Sequence, residues 1–589
     1  MPKRLLPTSV VAILAPILIA CGGAPTDVPT WTPMPTQASE GVSTTSLPTT
    51  ITETPAEQPT AGARPLSPAP GGPLASDSND WFATSGVCVA CHQSNVDEAG
   101  NDVSIGEYWR STMMANSATD PYYLSGVSIE VDRYPSYAGA IEAKCSTCHM
   151  PMAHFSDVAQ GQQGFIFGPD GYVDPQDTLH TLALDGGSCT VCHQIQSEGL
   201  GDFESFSGGV TFDLETPPGE RAAFGPFTPQ RQGINMMSRN SGFVPQRGDH
   251  VLQAELCATC HNLYTHYVTE EGAFSDEWFP EQTPYSEWLN SEHAAQSTCQ
   301  DCHMPLAEGA VVLANRGPAI PRSPYAKHSF AGGNVYLLEM LKDFGGELGV
   351  QSGTEHFDAT IARTLTQLRS ETATLAVSEP TRAGSTLEFD VTVTTITGHK
   401  LPTSYPSRRV WLHVTVTDAG GQAVFESGDA GGDGAITGND NDTDALAFEP
   451  HYDEIVSPEQ VQIYEAIMHD VYGNVTTVLL SASSYVKDNR LLPEGFDKTA
   501  VPDDIAPRGN AVADDDFVGG SDTISYRIDT SDATGPFTVA AELLYQSISY
   551  RWAQNASAYD TEQARNFSAY YDSLPNLPAL IAAHSTQSR

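Results

Sequence analysis

The chain has 589 residues, and 28 Lys and Arg against 73 Asp and Glu leave a formal charge of −45. A surface of that sign repels phosphate backbones and argues against nucleic acid as a partner, and the length exceeds what one hydrophobic core organises, so two or more folded units are expected. Hydrophobic residues make up 40% of the chain, a little below the roughly 45–50% of ordinary globular sequences, so something besides side chains is expected to fill part of the interior.

Residues 1–21 carry Lys3 and Arg4, then an apolar run from Val10 to Ala20 that ends at Cys21. The run is too short to span a bilayer and Pro16 interrupts it, so it reads as an export signal. Leu18-Ile19-Ala20-Cys21 resembles the bacterial lipoprotein cleavage box, which implies lipidation of Cys21 and a membrane anchor at the cell surface or in the periplasm. In residues 22–79, Pro, Thr and Ser supply 28 of 58 positions; such a stretch cannot build a core and reads as a disordered linker.

The chain holds 11 cysteines. Ten form five identical C-x-x-C-H motifs: Cys88/Cys91/His92, Cys145/Cys148/His149, Cys189/Cys192/His193, Cys257/Cys260/His261 and Cys299/Cys302/His303. Thiols three residues apart lie on one side of a helical turn, where both reach the vinyl groups on one porphyrin edge while the next residue aims its imidazole at the iron. Zinc would want pairs of C-x-x-C, and five leaves one over; neither zinc nor disulfides give a reason for a histidine after every second cysteine. The motifs therefore predict five covalently bound haem c groups. Residues 80–345 read as the haem-bearing unit, mainly helical and irregular, with haems close enough to form a chain of near neighbours.

A sixth ligand decides whether an iron only passes electrons or can also bind substrate. His293, His328, His250 and His180 are candidate distal ligands, with His154 and His266 also in this region. An internal repeat adds Met114: Trp288 to His293 parallels Trp109 to Met114, with the fifth residue after each tryptophan His in one copy and Met in the other. Both copies read as helices, one opened by a Ser104/Glu107 capping box and one by Thr283-Pro284. Met114 could equally be core packing, and the histidines surface groups.

Cys145-Ser-Thr-Cys-His-Met-Pro151, Cys299-Gln-Asp-Cys-His-Met-Pro305 and Leu256-Cys-Ala-Thr-Cys-His-Asn262 resemble motifs of the bacterial multihaem cytochromes c, the broad class that includes hydroxylamine oxidoreductase and its tetrahaem electron acceptor. The resemblance covers about residues 80–345. Nitrite-reducing members of that class usually carry lysine in place of one proximal histidine, and this sequence has no C-x-x-C-K.

After Tyr336–Leu341 and an amphipathic segment with Phe357, Ile361, Leu365 and Leu368 on one face, the period changes to two. Leu387, Phe389, Val391 and Val393 alternate with polar residues, as do Val410 to Val416 and Val539 to Tyr545, so residues 346–589 are expected to form a β-sandwich-like domain of about seven strands. The overall class is α+β and multidomain. Gly398-His399-Lys-Leu-Pro402, Tyr405 to Arg409 and Tyr485 to Pro493 resemble the C-terminal module of other multihaem cytochromes, which implies that His399 could ligate a haem across the boundary; a turn histidine is the alternative. Arg408 and Arg409 could pair with haem propionates. The loop Asp429–Asp444 has the carboxylate density of a calcium loop without EF-hand spacing.

These readings converge on an exported, lipid-anchored pentahaem cytochrome that hands electrons to redox partner proteins or extracellular acceptors, with a positively charged partner surface favoured. The alternative is a multihaem oxidoreductase with one open-site haem acting on a small nitrogen or sulfur compound. A third reading makes the β-rich half a binding module that the haems serve.

Overall fold

The computed structural model describes residues 72–317 and 319–588. The export signal, Cys21 and most of the linker lie outside them. The described chain from residue 72 onward belongs to one compact unit, and the last part of the expected linker is built into it: Leu74 packs against Trp109 and Ala115, and the carbonyl of Ala75 accepts from Gly86 N–H. Among the described residues no helix is long and apolar enough to cross a membrane.

Up to residue 353 the chain forms short helices joined by long irregular stretches, with only small two-stranded sheets. Helices that small cannot bury much apolar area of their own. Each C-x-x-C-H motif occupies such a helix or its end: Ser85–Val89, Ala138–His149, Cys189–Cys192, Ala254–His261 and Cys299–His303. Pro284–Leu289 starts as expected, with Thr283 as N-cap and Pro284 in the first turn. Ile105–Trp109 starts at Ser104 but without the expected capping box; the Ser104 hydroxyl is drawn to the Asp102 carboxylate and accepts from Asn95 N–H, so a neighbouring anion outcompetes the helix end for it.

The amphipathic segment is the helix Thr354–Ser370, with Phe357, Ile361 and Leu368 buried. Beyond it lie two five-stranded sheets. One runs Ala423–Ser427, Arg409–Thr417, Thr538–Gln546, Ala579–Gln587, with Ile463–Tyr464 also on Arg409–Thr417. The other runs Glu454–Ile455, Ser521–Asp529, Thr386–Thr395, Ala373–Val377, with Thr381–Ala383 also on Thr386–Thr395. Seven of these strands have five residues or more; the other three are edge pieces of two or three. The period of two is met residue by residue: Leu387, Phe389, Val391 and Val393 from one sheet and Val410, Leu412, Val414, Val416, Val539, Ala541 and Leu543 from the other share one core. A third, three-stranded sheet pairs Ala466–Asp470 with Val475–Thr476 and Ala482–Asp488.

Candidate haem-binding site

Cysteine is among the most buried residue types in ordinary proteins. Of the ten motif cysteines here, none is buried, nine are half-buried, Cys302 is exposed, and all are free thiols. Two of them, Cys145 and Cys299, pack against the edges of hydrophobic clusters. The motifs are also drawn together out of chain order. Cys88 and Cys189 lie within thiol hydrogen-bonding reach, as do Cys148 and Cys260, and Cys257 and Cys299; Cys192 lies near Cys260, and His261 near both His303 and His149. The first motif thus adjoins the third, the third the fourth, and the fourth both the second and the fifth. Disulfides at the three thiol contacts would strand four cysteines and leave the histidines unexplained.

The histidines are oriented for metal. In a ring whose Nδ1–H donates to a carbonyl, Nε2 is the free lone pair, which is how metal-bound imidazoles are set up. His92 Nδ1 meets Leu313 O at 3.0 Å, His149 meets Ser117 O at 3.1 Å, His193 meets Phe224 O at 2.5 Å and His303 meets Ala331 O at 2.7 Å. Burial pulls His149 and His261 down to about 4 and lowers His92 and His193, so these rings stay neutral, the form that binds a metal. Tyr123 lies flat against His149, ring centroids 3.7 Å apart and nearly parallel; no sequence pattern marked it.

Two motif histidines face a second imidazole. The rings of His303 and His399 are 6.3 Å apart and within 6° of parallel, and those of His193 and His328 are 6.5 Å apart at 28°. These spacings are too wide for ring contact, but one metal ion held by two imidazoles at about 2 Å from each nitrogen spaces the ring centres by roughly 6 Å. His399 Nδ1 is tied to Lys400 O at 2.9 Å, leaving Nε2 free, and His328 Nδ1 is buried without a hydrogen-bond partner. The residues present therefore fit a bis-imidazole iron at the third and fifth motifs.

The other candidates are placed differently. His180 is half-buried with Nδ1 on Tyr172 O at 2.8 Å. His250 turns Nε2 to Ile195 O at 2.9 Å and packs against Phe224. His154, on the helix Pro151–Ala159, turns its two nitrogens to the hydroxyls of Ser146 and Thr147 on the preceding motif helix, and His266 bonds Glu277 O and lies on Trp278. Met114 and His293 are equivalent in space as well as in sequence. Gly187 N–H donates to Met114 O at 3.0 Å and Ser297 N–H to His293 O at 2.9 Å, while Trp109 and Trp288 donate their indole N–H to Gly187 O and Ser297 O. Each repeat pins the residue two before a motif's first cysteine.

The loop bearing His399 is held by a buried ionic quartet. Glu287 of Pro284–Leu289 is fully buried; it accepts from Lys400 N–H at 3.2 Å and from the Thr403 hydroxyl, and pairs with Arg490 Nη1 at 2.9 Å. Lys400 Nζ and Arg490 both bond Asp488 at 2.7 Å, and these cations hold the Asp488 carboxyl far below its ordinary range against its burial. A Cβ on Gly398 would lie 3.2 Å from His293 Cβ and 3.3 Å from Trp288 Cδ1, so a larger residue here would press the loop a few tenths of an ångström away from the helix that carries Trp288. Arg408 lies near His261 and His399 and remains available to a propionate. Arg409 does not: it is buried and bidentate with Asp442, the two nearest contacts at 3.0 and 3.1 Å, which also takes that carboxylate out of any calcium loop.

Near Cys145 sit two buried acids. Burial pushes Glu130 up to about 8, although Leu479 and Leu480 N–H donate to it, and Glu281 up to about 7. Both folded-state values lie above the unfolded ones, so their stabilising contribution is complete at low pH and is lost as pH rises through 7 to 8. Histidines with lowered values act in the opposite sense, but only below about 6.5. The thermal midpoint should therefore fall between pH 6.5 and 8, where Glu130 is the acid that still differs most between the folded and unfolded chains, and Glu130→Gln should flatten that fall; an unchanged slope would remove Glu130 from the account.

No protein-family model and no curated protein matches this chain. Among solved structures it is similar to a penta-heme cytochrome c552 from Thermochromatium tepidum, with 15% sequence identity and a TM-score of 0.47 over 86% of this chain and 98% of that one.

Proposed function

We propose that the protein is a pentahaem c-type cytochrome that transfers electrons. The observation that carries this is the set of five C-x-x-C-H helices, four with their histidine Nδ1 fixed by a backbone carbonyl and two with a second imidazole at the spacing a shared iron requires. Cys88, Cys91, Cys145, Cys148, Cys189, Cys192, Cys257, Cys260, Cys299 and Cys302 would hold the porphyrins, and His92, His149, His193, His261 and His303 would each offer an imidazole to an iron. Haem supplies a metal that cycles between ferrous and ferric states, and the adjacency of the motifs lets an electron pass between neighbours. The protein orients the rings of His92, His149, His193 and His303 through backbone carbonyls, burial favours the neutral form of His92, His149, His193 and His261, and His328 and His399 would offer second imidazoles at the third and fifth motifs.

Export, a lipid anchor at Cys21 and a place at the cell surface or in the periplasm belong to the same reading and rest on the sequence of residues 1–21. The acidic charge favours a basic redox partner.

A second reading, an oxidoreductase acting on a small nitrogen or sulfur compound, is favoured by one feature: no second imidazole ring is paired with His92, His149 or His261 among the described residues. Material matured in a host that attaches haem c should gain the mass of five haems. His399→Ala and His328→Ala should each turn one haem from low-spin to high-spin in electron paramagnetic resonance. Parent protein with only low-spin signals and no cyanide binding supports electron transfer; a high-spin parent that binds cyanide supports the enzyme. Colourless protein ends both.

A further inference from the structure

A second cluster of ligating groups lies in the β-rich half, away from every haem motif. The carboxylate oxygens of Asp453, Asp514 and Asp516 come within 4.8 Å of one another, and Asp514 also belongs to a buried group with Asp522 and His451 of the same compactness. Oxygens bound to one Ca2+ at about 2.3–2.6 Å can be no more than roughly 5 Å apart, so this spacing is what a shared ion permits. Proximity of acids alone would be an ordinary solvated surface. Here one acid is not at the surface: Asp522 is 0% exposed, Tyr464 O–H donates to its Oδ2 at 2.7 Å, and its Oδ1 is buried with no hydrogen-bond partner, 3.9 Å from His451 Nε2. A buried carboxylate oxygen left bare beside Asp514, the acid shared by both groups, is costly unless a cation completes it.

The histidine cannot be that cation. Gln462 and Asn489 both donate side-chain N–H to His451 Nδ1, at 2.8 and 3.1 Å. Their amide orientations are fixed from behind, since Tyr452 N–H donates to Gln462 Oε1 and Glu465 N–H to Asn489 Oδ1. Nδ1 is therefore an acceptor, the proton sits on Nε2 and is given to Asp514 at 2.9 Å, and the ring is held neutral. For the same reason Nε2 is not a metal ligand, and the remaining donors are all oxygen. The nearby ammonium groups are committed: Lys487 to Glu465 and Ile463 O, Lys498 to the carbonyls of Ala511 and Asp514.

We propose that Asp453, Asp514 and Asp516 bind a calcium ion, with Asp522 completing the site from the buried side and His451 orienting Asp514 through its Nε2–H. Hard oxygen donors of mixed exposure, with room for water, suit Ca2+ over zinc or copper, and a flexible site of this kind over Mg2+. The ion ties the segment before strand Ser521–Asp529 to the start of Glu454–Ile455. This site is independent of the haem reading.

The test uses the full-length haem-loaded protein, freed of divalent ions with a chelator. Titration with Ca2+ in a calorimeter should show one site with a dissociation constant of about 10⁻⁵–10⁻³ M, and Ca2+ should raise the thermal midpoint more than Mg2+ does. The exposed pair Asp453→Asn/Asp516→Asn should weaken binding at least tenfold, whereas Asp429→Asn/Asp444→Asn in the other acidic loop should not. Asp522→Asn separates an ion from the rival arrangement, a proton shared between Asp522 and Asp514, because asparagine mimics the protonated acid. With an ion, Asp522→Asn loses Ca2+ affinity. A variant equally stable in calcium and chelator, with the parent equally indifferent, overturns the proposal, as does a Ca2+ response that survives Asp453→Asn/Asp516→Asn unchanged.

Discussion

Glu287→Ala should destabilise the protein by about 3–5 kcal/mol, far more than loss of a surface ion pair would. Glu287 and Asp488 balance Lys400 and Arg490 where all four side chains are almost wholly inside the protein. Removing one anion leaves two buried cations to share Asp488 and also strips acceptors from Lys400 N–H and Thr403. The denaturant midpoint reads the stability. The site reads the position of His399, whose loop Glu287 holds, so on the haem reading one low-spin signal should broaden or turn high-spin in the same variant. Glu287→Gln keeps the shape and one acceptor, and should lose less. A variant as stable as the parent would mean that the quartet does not fasten the two halves.

On the proposed pentahaem reading, Cys257→Ala/Cys260→Ala should interrupt electron transfer more than removal of any other motif. The fourth motif is the one whose thiols and histidine lie beside the second, third and fifth. Without its haem, rapid reduction of the protein should resolve into independent phases from separated haems, and intact-mass measurement should show four groups. Cys88→Ala/Cys91→Ala, at an end of the array, should also leave four groups but a single connected phase. Equal behaviour of the two variants would refute the branched order.

Much of this was legible because it is local. Alternation at Leu387, Phe389, Val391 and Val393 dictates one buried face of a strand, and C-x-x-C-H dictates its own chemistry. The Trp109/Trp288 repeat pointed to a real geometric equivalence, since both indoles hold the approach to a motif. What was not legible depends on partners far along the chain. His399 against His303 could be only an even choice between ligand and turn residue, because nothing in Gly398-His399 specifies what faces it. Arg409 read as a propionate partner because Asp442 sits in an acidic loop with no periodicity to bring it home. Glu287 is one acid on a short helix, and Asp522 one of many in an acidic chain; burial, which sequence does not display, makes each consequential.

The pairing of His303 with His399 also bears on the order of assembly. On the proposed reading of an exported haem protein, Cys299 and Cys302 would emerge well before residue 399, and the fifth iron would have a vacant face until the later sheets had folded onto it. A chain cut short or stalled before those sheets form would carry an iron open to peroxide and other small oxidants. On that reading, completion of the C-terminal half would act as the safety catch of maturation.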